Sequence, residues 1–477
     1  MKKIIENDYI KNKNKNNELK KYKRFYKKTI YIRLKLLYLL LFILFLFRTY
    51  NLNIHNNNKK IYYSYIKYKV YERIKGKKIF KNIKLGIYIF SLSNGGRERL
   101  TSLLINYLYR EKIFEIYLFT HTNRNPYEYE IPENVTRIKI SGIEDLKNNL
   151  IKNNINILVY QDYNIKEMEI LNRLKNVKVI FYNHSTFIFW IYFRNNLFLK
   201  YLYNQYKKSK YIISLIPFEN DFLFKKWNIS SILMNNFITY NYRNIIPSNL
   251  SSNIIIMIGR ANDHLKRLDL GIKSMKYIVN EIPDCQMKII SNLNGANYLM
   301  NLVEQLNLKK NIKFVGFTLK PEIYYKNASL HIFPSIIECF PMVLSETKVY
   351  GIPNIITGID YVSTAKGGVI NILNDNPEVI AKEAIKILKN NNYRKELGES
   401  ARKSMEKFKN ELTIRKWVEL ILAIYNGEYY YNKLRSEERK ISEKEAINQI
   451  ERQIQLLKMR IPKMQNISIN DILSMNF

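Results

Sequence analysis

Cysteine is almost missing from this chain of 477 residues: Cys285 and Cys339 are the two present, too far apart to make a disulfide framework or a metal-ligand spacing. They read as ordinary thiols, a usage that permits a reducing compartment without proving one. The five histidines show no HxxxH or HExxH spacing, so nothing points to a structural or catalytic metal. Gly (15) and Pro (11) are scarce, which gives weight to each one found at a turn. Acidic side chains are outnumbered, 41 against 78 Lys and Arg, for a formal net charge of +37. No uncharged apolar run reaches the roughly 20 residues that a membrane-spanning helix needs.

What is present is a folding composition, 47% hydrophobic and 13% aromatic, in a chain long enough for two or three domains. The abundant Lys, Asn, Ile, Tyr and Phe all have AT-rich codons, so base-composition bias accounts for much of the charge. Basic residues are spread along the chain, with a local excess only in the first thirty. With no nucleic-acid motif, nucleic acid is not an expected partner; an anionic membrane surface fits the charge better.

Residues 1–29 form a Lys/Asn-rich basic arm that includes Lys11, Lys13, Lys15, Lys20, Lys21 and Lys23. The run Leu36–Phe47 follows, uncharged for 12 residues and extended to 18 if counted from Ile30 with Arg33 and Lys35 included. Those two cations can snorkel. A shallow membrane-embedded helix, a signal peptide and a buried core helix compete with an uncleaved membrane anchor over 30–50; the anchor is favoured because no small-residue cleavage site follows. Lys59, Lys60, Lys67, Lys69 and Arg73 make the other flank basic too, so orientation stays open. Residues 51–83 read as a tether.

From Lys84 short apolar runs alternate with amphipathic helices, the signature of parallel α/β units. Strands are expected at Leu85–Phe90, Ile116–Phe119, Ile155–Tyr160, Val179–Tyr182 and Tyr211–Leu215. A second series covers Ile254–Ile258, Met287–Ile290, Ile312–Val315, Leu330–Phe333 and Asn354–Ile356. Two such series imply two Rossmann-like domains facing a central cleft, over 84–247 and 248–427, with ligands at the carboxyl ends of the strands. Helices are expected from Pro377 to Leu388, then to about Phe408, and over Leu412–Tyr425. In the tail, 428–477, Ser442 and Glu445 make a capping-box signal ahead of Ile447, Ile450, Ile454 and Leu457 at helical spacing. A packing or self-association helix is the plain reading.

Four segments follow predicted strands. In Gly95-Gly96-Arg97-Glu98-Arg99 a glycine pair at a strand-to-helix turn lets backbone N–H groups approach a phosphate or sugar, although a plain tight turn looks the same. Gly259-Arg260 with Lys266-Arg267-Leu268-Asp269 offers Arg260 and Lys266 as a diphosphate clamp, against the alternative of two solvated cations. Asn183-His184-Ser185 puts a histidine at the cleft edge, where it can donate to a sugar hydroxyl, although lone loop histidines are more often structural. The most specific segment is Phe333-Pro334-Ser335-Ile336-Ile337-Glu338-Cys339-Phe340-Pro341-Met342-Val343-Leu344-Ser345-Glu346, followed by Gly351-Ile352-Pro353. It holds Glu338 in a Pro-bounded loop and Glu346 eight positions on, along a helix. At about 1.5 Å of rise per residue that is roughly the span from sugar to ribose in a folded nucleotide sugar.

These strings resemble the family 4 retaining glycosyltransferases of the GT-B fold. The matching segments are ECFPMVLSE, GRANDHLKRLDLGIKSM, NIKFVGFTLKPEIYYKNASLHIFPS and NGGRERLTSLL, within roughly residues 84–425. The resemblance implies an acceptor domain over 84–247 and a nucleotide-sugar donor domain over 248–427. Glu338 would contact donor-sugar hydroxyls and Glu346 the ribose. Backbone amides of Phe340, Met342 and Val343 would face sugar or phosphates. Arg260 and Lys266 would hold the diphosphate beside Gly95 and Gly96, and His184 would sit near the anomeric carbon. Cys339 departs from the glycine that many members carry there. The implied reaction moves a hexose-type sugar, UDP-linked first among donors, to a glycan or lipid-linked acceptor, with retention and without metal or cofactor.

Two other readings compete: a catalytically inactive GT-B subunit or binding module, and a basic membrane- or polyanion-binding protein. The compartment expected is a membrane-associated protein with a cytoplasmic active site, because a glycan on the sequon at Asn183 would block the cleft.

Overall fold

The computed structural model describes residues 83–427 and 442–460, apart from 94, 163, 188, 191–195 and 241–243. Short apolar runs with no polar face become parallel strands covered by helices, because only such burial removes both their faces from water. β1 (Ile83–Tyr88), β2 (Phe114–Thr120), β3 (Thr136–Lys139), β4 (Ile157–Tyr160), β5 (Lys178–Tyr182), β6 (Tyr211–Ser214) and β7 (Ile232–Leu233) form one parallel sheet in the order β3-β2-β1-β4-β5-β6-β7. β8 (Ile254–Ile258), β9 (Gln286–Ile290), β10 (Ile312–Phe314), β11 (Leu330–Phe333), β12 (Asn354–Thr357) and β13 (Val369–Ile372) form a second parallel sheet in the order β10-β9-β8-β11-β12-β13. Strand order reverses between β1 and β4 and again between β8 and β11. These reversals are the switch points where a doubly wound sheet opens a crevice at its carboxyl edge.

The second sheet packs its helices through a continuous core that includes Ile255, Met257, Ile272, Met275, Leu330 and Ile355. Gly271 belongs here for a steric reason: a Cβ would stand 2.1 Å from Met257 Sδ, so glycine lets the helix Leu268–Glu281 approach β8 closely.

Two late helices turn back toward the first sheet. The helix Asn410–Tyr425 packs against the helix Gly96–Arg110, with Trp417 edge-on to Tyr182 of β5 at 5.2 Å. Asn410 fixes its start: Oδ1 accepts from the Ile238 N–H (2.9 Å), while Nδ2 donates to the Ile238 carbonyl and to Tyr107 Oη (both 2.8 Å). At its other end Lys178 Nζ donates to the carbonyls of Ile424 (2.6 Å) and Tyr425 (2.9 Å), a cation placed on a helix C-terminus. The helix Glu443–Arg460 begins where Ser442 Oγ accepts from the Glu445 N–H at 3.1 Å. It buries Ala446, Ile450, Ile454 and Leu457 and packs against the helix Pro217–Lys225 of the first sheet.

The GT-B architecture, two α/β units with parallel sheets, is present, and the architecture expected from sequence needs one correction. Among the described residues no helix is long and apolar enough to cross a membrane, so the fold carries no assigned membrane-anchor helix. The expected anchor over 30–50 lies outside the described residues, as do the arm and the tether before Ile83. The physical reason is already in the sequence: Leu36–Phe47 offers 12 uncharged residues where about 20 are needed.

Asn410→Ala strips the Ile238 backbone of both partners and is expected to lower stability by about 2–3 kcal/mol. Urea unfolding checks this, as a lower midpoint at unchanged slope.

Candidate active site

The two switch points bring the four sequence segments together. Gly259 directly follows β8, and a Cβ there would lie 3.2 Å from Lys266 Cβ. The missing side chain lets the short 3-10 turn His264–Lys266 fold over the strand end, held by Asp263 accepting from the Leu265 N–H. Lys266 thereby reaches Glu338 in the loop after β11, with Nζ 2.6 Å from Oε1 and both side chains largely shielded. Tyr361 holds the Glu338 backbone from the other side: its hydroxyl accepts from the Glu338 N–H at 3.0 Å and donates to the Glu338 carbonyl at 2.9 Å.

The helix Met342–Val349 follows, and Pro341 before it supplies no side-chain cap. The first-turn amides of Met342 and Val343 therefore have no intrahelical acceptor and present partial positive charge. Phe340 is buried edge-on to Phe408 at 5.4 Å. Gly96 of the first sheet's glycine turn faces this helix start, 3.6 Å separating its Cβ position from Met342 Cγ, and the helix Gly96–Arg110 also begins without a side-chain cap at Gly95. Two uncapped helix N-termini thus meet beside Lys266.

Glu346, eight residues beyond Glu338, is only 2% exposed. Its Oε1 takes an ion pair from Arg99 (2.9 Å) and a hydrogen bond from Thr239 Oγ1 (2.7 Å), and its Oε2 accepts from Tyr325 Oη (2.7 Å). Arg99 comes from the first sheet's helix Gly96–Arg110, so this buried ion pair bridges the two sheets' units. Burial opposes the Arg99 charge, and Glu346, with Tyr240 and Tyr129 after it, together more than offset that, so the guanidinium ends above its ordinary range. Arg99 also donates to Tyr240 Oη at 3.3 Å and lies against the rings of Tyr129 and Tyr240.

His184 follows β5 and packs on Tyr182, ring centroids 4.1 Å apart. Burial first, and Arg97 second, push its pKa well below the usual imidazole value, so it is neutral at pH 7. Its Nε2 lies 2.8 Å from Gln161 Oε1, at the end of β4. Gln161 is fully buried; Thr101 Oγ1 lies 3.0 Å from the same oxygen, and Arg97 donates to the Gln161 backbone carbonyl at 3.2 Å.

Arg260 is not brought onto the Lys266–Glu338 pair. It is 65% exposed in its side chain and ion-paired to Asp263 at 2.8 Å. Cys339 is buried, and burial raises its thiol well above the ordinary range, so it stays protonated. Among the described residues no group of three or more His, Cys, Asp or Glu is arranged to hold a metal ion.

Sequence reasoning gave no role to Arg99, Gln161, Tyr361 or Glu219. Arg99 stood in the glycine-turn segment, one helical turn past Gly95, and that spacing was the available signal. Glu219 had none: it opens the helix Pro217–Lys225, accepts from the Phe187 N–H at 3.1 Å, and is pushed by burial up to about 7.

With this geometry in place, comparison with known proteins is informative. Residues 239–404 match the family of glycosyl transferases group 1. An uncharacterized glycosyltransferase of Haemophilus influenzae is 22% identical over 293 residues, 57% of this chain and 79% of the relative. The sucrose-phosphate synthase structure from Thermosynechococcus elongatus aligns with a TM-score of 0.60 at 16% identity, over 72% of this chain and 100% of that one. The Anabaena protein HepE, solved with UDP and glucose, aligns with a TM-score of 0.57 at 11% identity, over 72% of this chain and 99% of that one. The fold and these relatives define a glycosyltransferase of GT-B architecture. Its second sheet lies within a glycosyl transferases group 1 domain.

Glu346→Ala leaves Arg99 buried without its counter-charge and is expected to cost about 3–5 kcal/mol. Adding Arg99→Leu should recover much of that loss, read by thermal or urea unfolding of both variants. The Glu219 carboxyl binds its proton more tightly folded than unfolded, so its contribution is complete below about pH 4.5 and is lost as pH rises through about 7. Glu219→Gln should flatten that decline in a series of melts across this window.

Proposed function

We propose that this chain is a family 4 type retaining glycosyltransferase. It moves a hexose-type sugar from a nucleotide diphosphate sugar, UDP-linked first among donors, to a glycan or lipid-linked acceptor, without a metal ion. One observation carries the reading: Lys266 and Glu338 meet beside two uncapped helix N-termini at the β8/β11 switch point, with Glu346 eight residues further on. A diphosphate placed there replaces Glu338 as the partner of Lys266 and takes N–H donors from Met342 and Val343. The freed Glu338 carboxylate then accepts from sugar hydroxyls. Glu346 accepts from the ribose in place of Thr239 and Arg99. That HepE, solved with UDP and glucose, shares the fold supports a uridine nucleotide in this cleft.

The reaction proposed is a front-face transfer without a protein nucleophile. In it the leaving phosphate oxygen takes the acceptor proton while Lys266 and the helix N-termini stabilise the developing charge. Neutral His184 adds no charge; its one N–H is given to Gln161 Oε1, so the remaining Nδ1 accepts a hydrogen bond from a sugar hydroxyl. Arg260 is exposed and bound to Asp263; it joins the phosphate site by exchanging that partner.

A mass-spectrometric screen with UDP-, GDP- and ADP-sugars against glycan and lipid acceptors tests the reading. Lys266→Ala is expected to lower transfer at least about 100-fold, the scale set by removing one donor from a developing anion. Full activity in that variant, or no product from any donor, contradicts the proposal.

A further inference from the structure

The C-terminal helix Glu443–Arg460 lies outside the group 1 match, yet its arginines end on the walls of the site just described. Arg460 is nearly buried, 3% exposed in its side chain. Its Nη1 donates to the Thr357 carbonyl at 2.8 Å, and its Nε lies 3.2 Å from Asp375 Oδ1. Asp375 is in turn paired with Arg267, the residue after Lys266. About two turns earlier, Arg452 pairs with Asp360 at 2.9 Å. Thr357 and Asp360 bracket Gly358, which sits at φ +64, where the guanidinium of Arg460 fills the space a side chain would need. The next residue is Tyr361, whose hydroxyl both accepts from and donates to the Glu338 backbone. Burial keeps that phenol protonated, as the donated bond requires. The opposite face of the helix is seated on Pro217–Lys225 of the first sheet, and Phe218 of that helix meets the Tyr361 ring edge-on at 5.6 Å.

We propose that the C-terminal helix is a working part of the donor site: Arg452, Arg460 and Tyr361 are positioning residues that hold Glu338 and Lys266 in register, and the helix ties that register to the first sheet. The functional half of this proposal rests on the donor-site reading above. Two contact chains carry it. One runs from Arg460 and Arg452 through the Thr357–Asp360 turn to Tyr361 and the Glu338 backbone. The other runs from Arg460 through Asp375 to Arg267 beside Lys266. The links are hydrogen bonds and ion pairs with named partners, joined by the backbone through Thr357–Tyr361 and from Arg267 to Lys266. A helix that only packed would not need to aim two arginines at one turn.

The test uses the full chain with Arg452→Ala, Arg460→Ala and Tyr361→Phe, and needs no known donor. Hydrogen exchange by mass spectrometry follows the peptide covering residues 334–346, which contains the Glu338 amide. All three variants are expected to speed exchange there about tenfold, the effect of losing one such bond, while core peptides in β8 and β9 stay protected. Calorimetric binding of UDP, with Lys266→Ala as control, is expected to weaken about tenfold in the arginine variants. Unchanged exchange at 334–346 overturns the proposal. Faster exchange with unchanged UDP affinity, while Lys266→Ala loses UDP, shows a brace for the fold alone and overturns the functional half. UDP binding indifferent to Lys266→Ala sinks the donor-site reading itself, and the functional half with it. If Arg460→Ala speeds exchange throughout the chain, Tyr361→Phe, which removes a single hydroxyl, decides.

Discussion

A carboxylate taken out of water must be matched by donors and positive charge, and Glu346 is matched by groups from both sheets at once. Arg99 arrives on the helix after β1, Thr239 on the segment between the two sheets, and Tyr325 from the second unit. The acid is nearly inaccessible, so none of these partners can be lost without leaving a buried polar group unpaired. The consequence is mechanical. A ligand that displaces Arg99 from this carboxylate, as the hydroxyls of a ribose would, releases a contact between the two units. Glu338 shows the same logic on a smaller scale: Lys266 neutralises it, and a phosphate is the natural competitor for that lysine.

Why these groups meet at all follows from parallel topology. Every β-to-α turn of a parallel sheet falls on one edge, and the switch point opens a crevice between two such turns. β1 and β8 therefore deliver Gly95-Gly96 and Gly259, and the turn after β11 delivers Glu338 and the helix Met342–Val349. Glycine matters at Gly259 because Lys266 folds against it, and at Gly96 because another helix start stands opposite.

The sheets were legible because buried parallel strands leave uninterrupted apolar runs, and ten of the thirteen strands stood out in this way. The exceptions have physical reasons. β3, Thr-Arg-Ile-Lys, is an edge strand with two exposed positions, and β7 has only two residues, so neither leaves an apolar run. β13 is broken by Asn371 and partly exposed. In the candidate site, Glu338, Glu346 and Lys266 stood out in the sequence through local spacing. Arg99, Gln161 and Tyr361 were not, because their partners lie 247, 23 and 23 positions away and only the fold brings them together. Arg260 follows β8 as the clamp reading expects, and in the structure it is exposed and paired with Asp263.

In the proposed function a nucleotide sugar lies between the two helix N-termini and exchanges partners with Lys266 and Glu346. A crystal structure of the protein soaked with a UDP-sugar measures this directly. The expected result is a diphosphate against Lys266 Nζ and the amides of Met342 and Val343, with ribose hydroxyls on Glu346 in place of Thr239 and Arg99. A nucleotide bound elsewhere, or one that leaves the Lys266–Glu338 and Arg99–Glu346 pairs untouched, would contradict it.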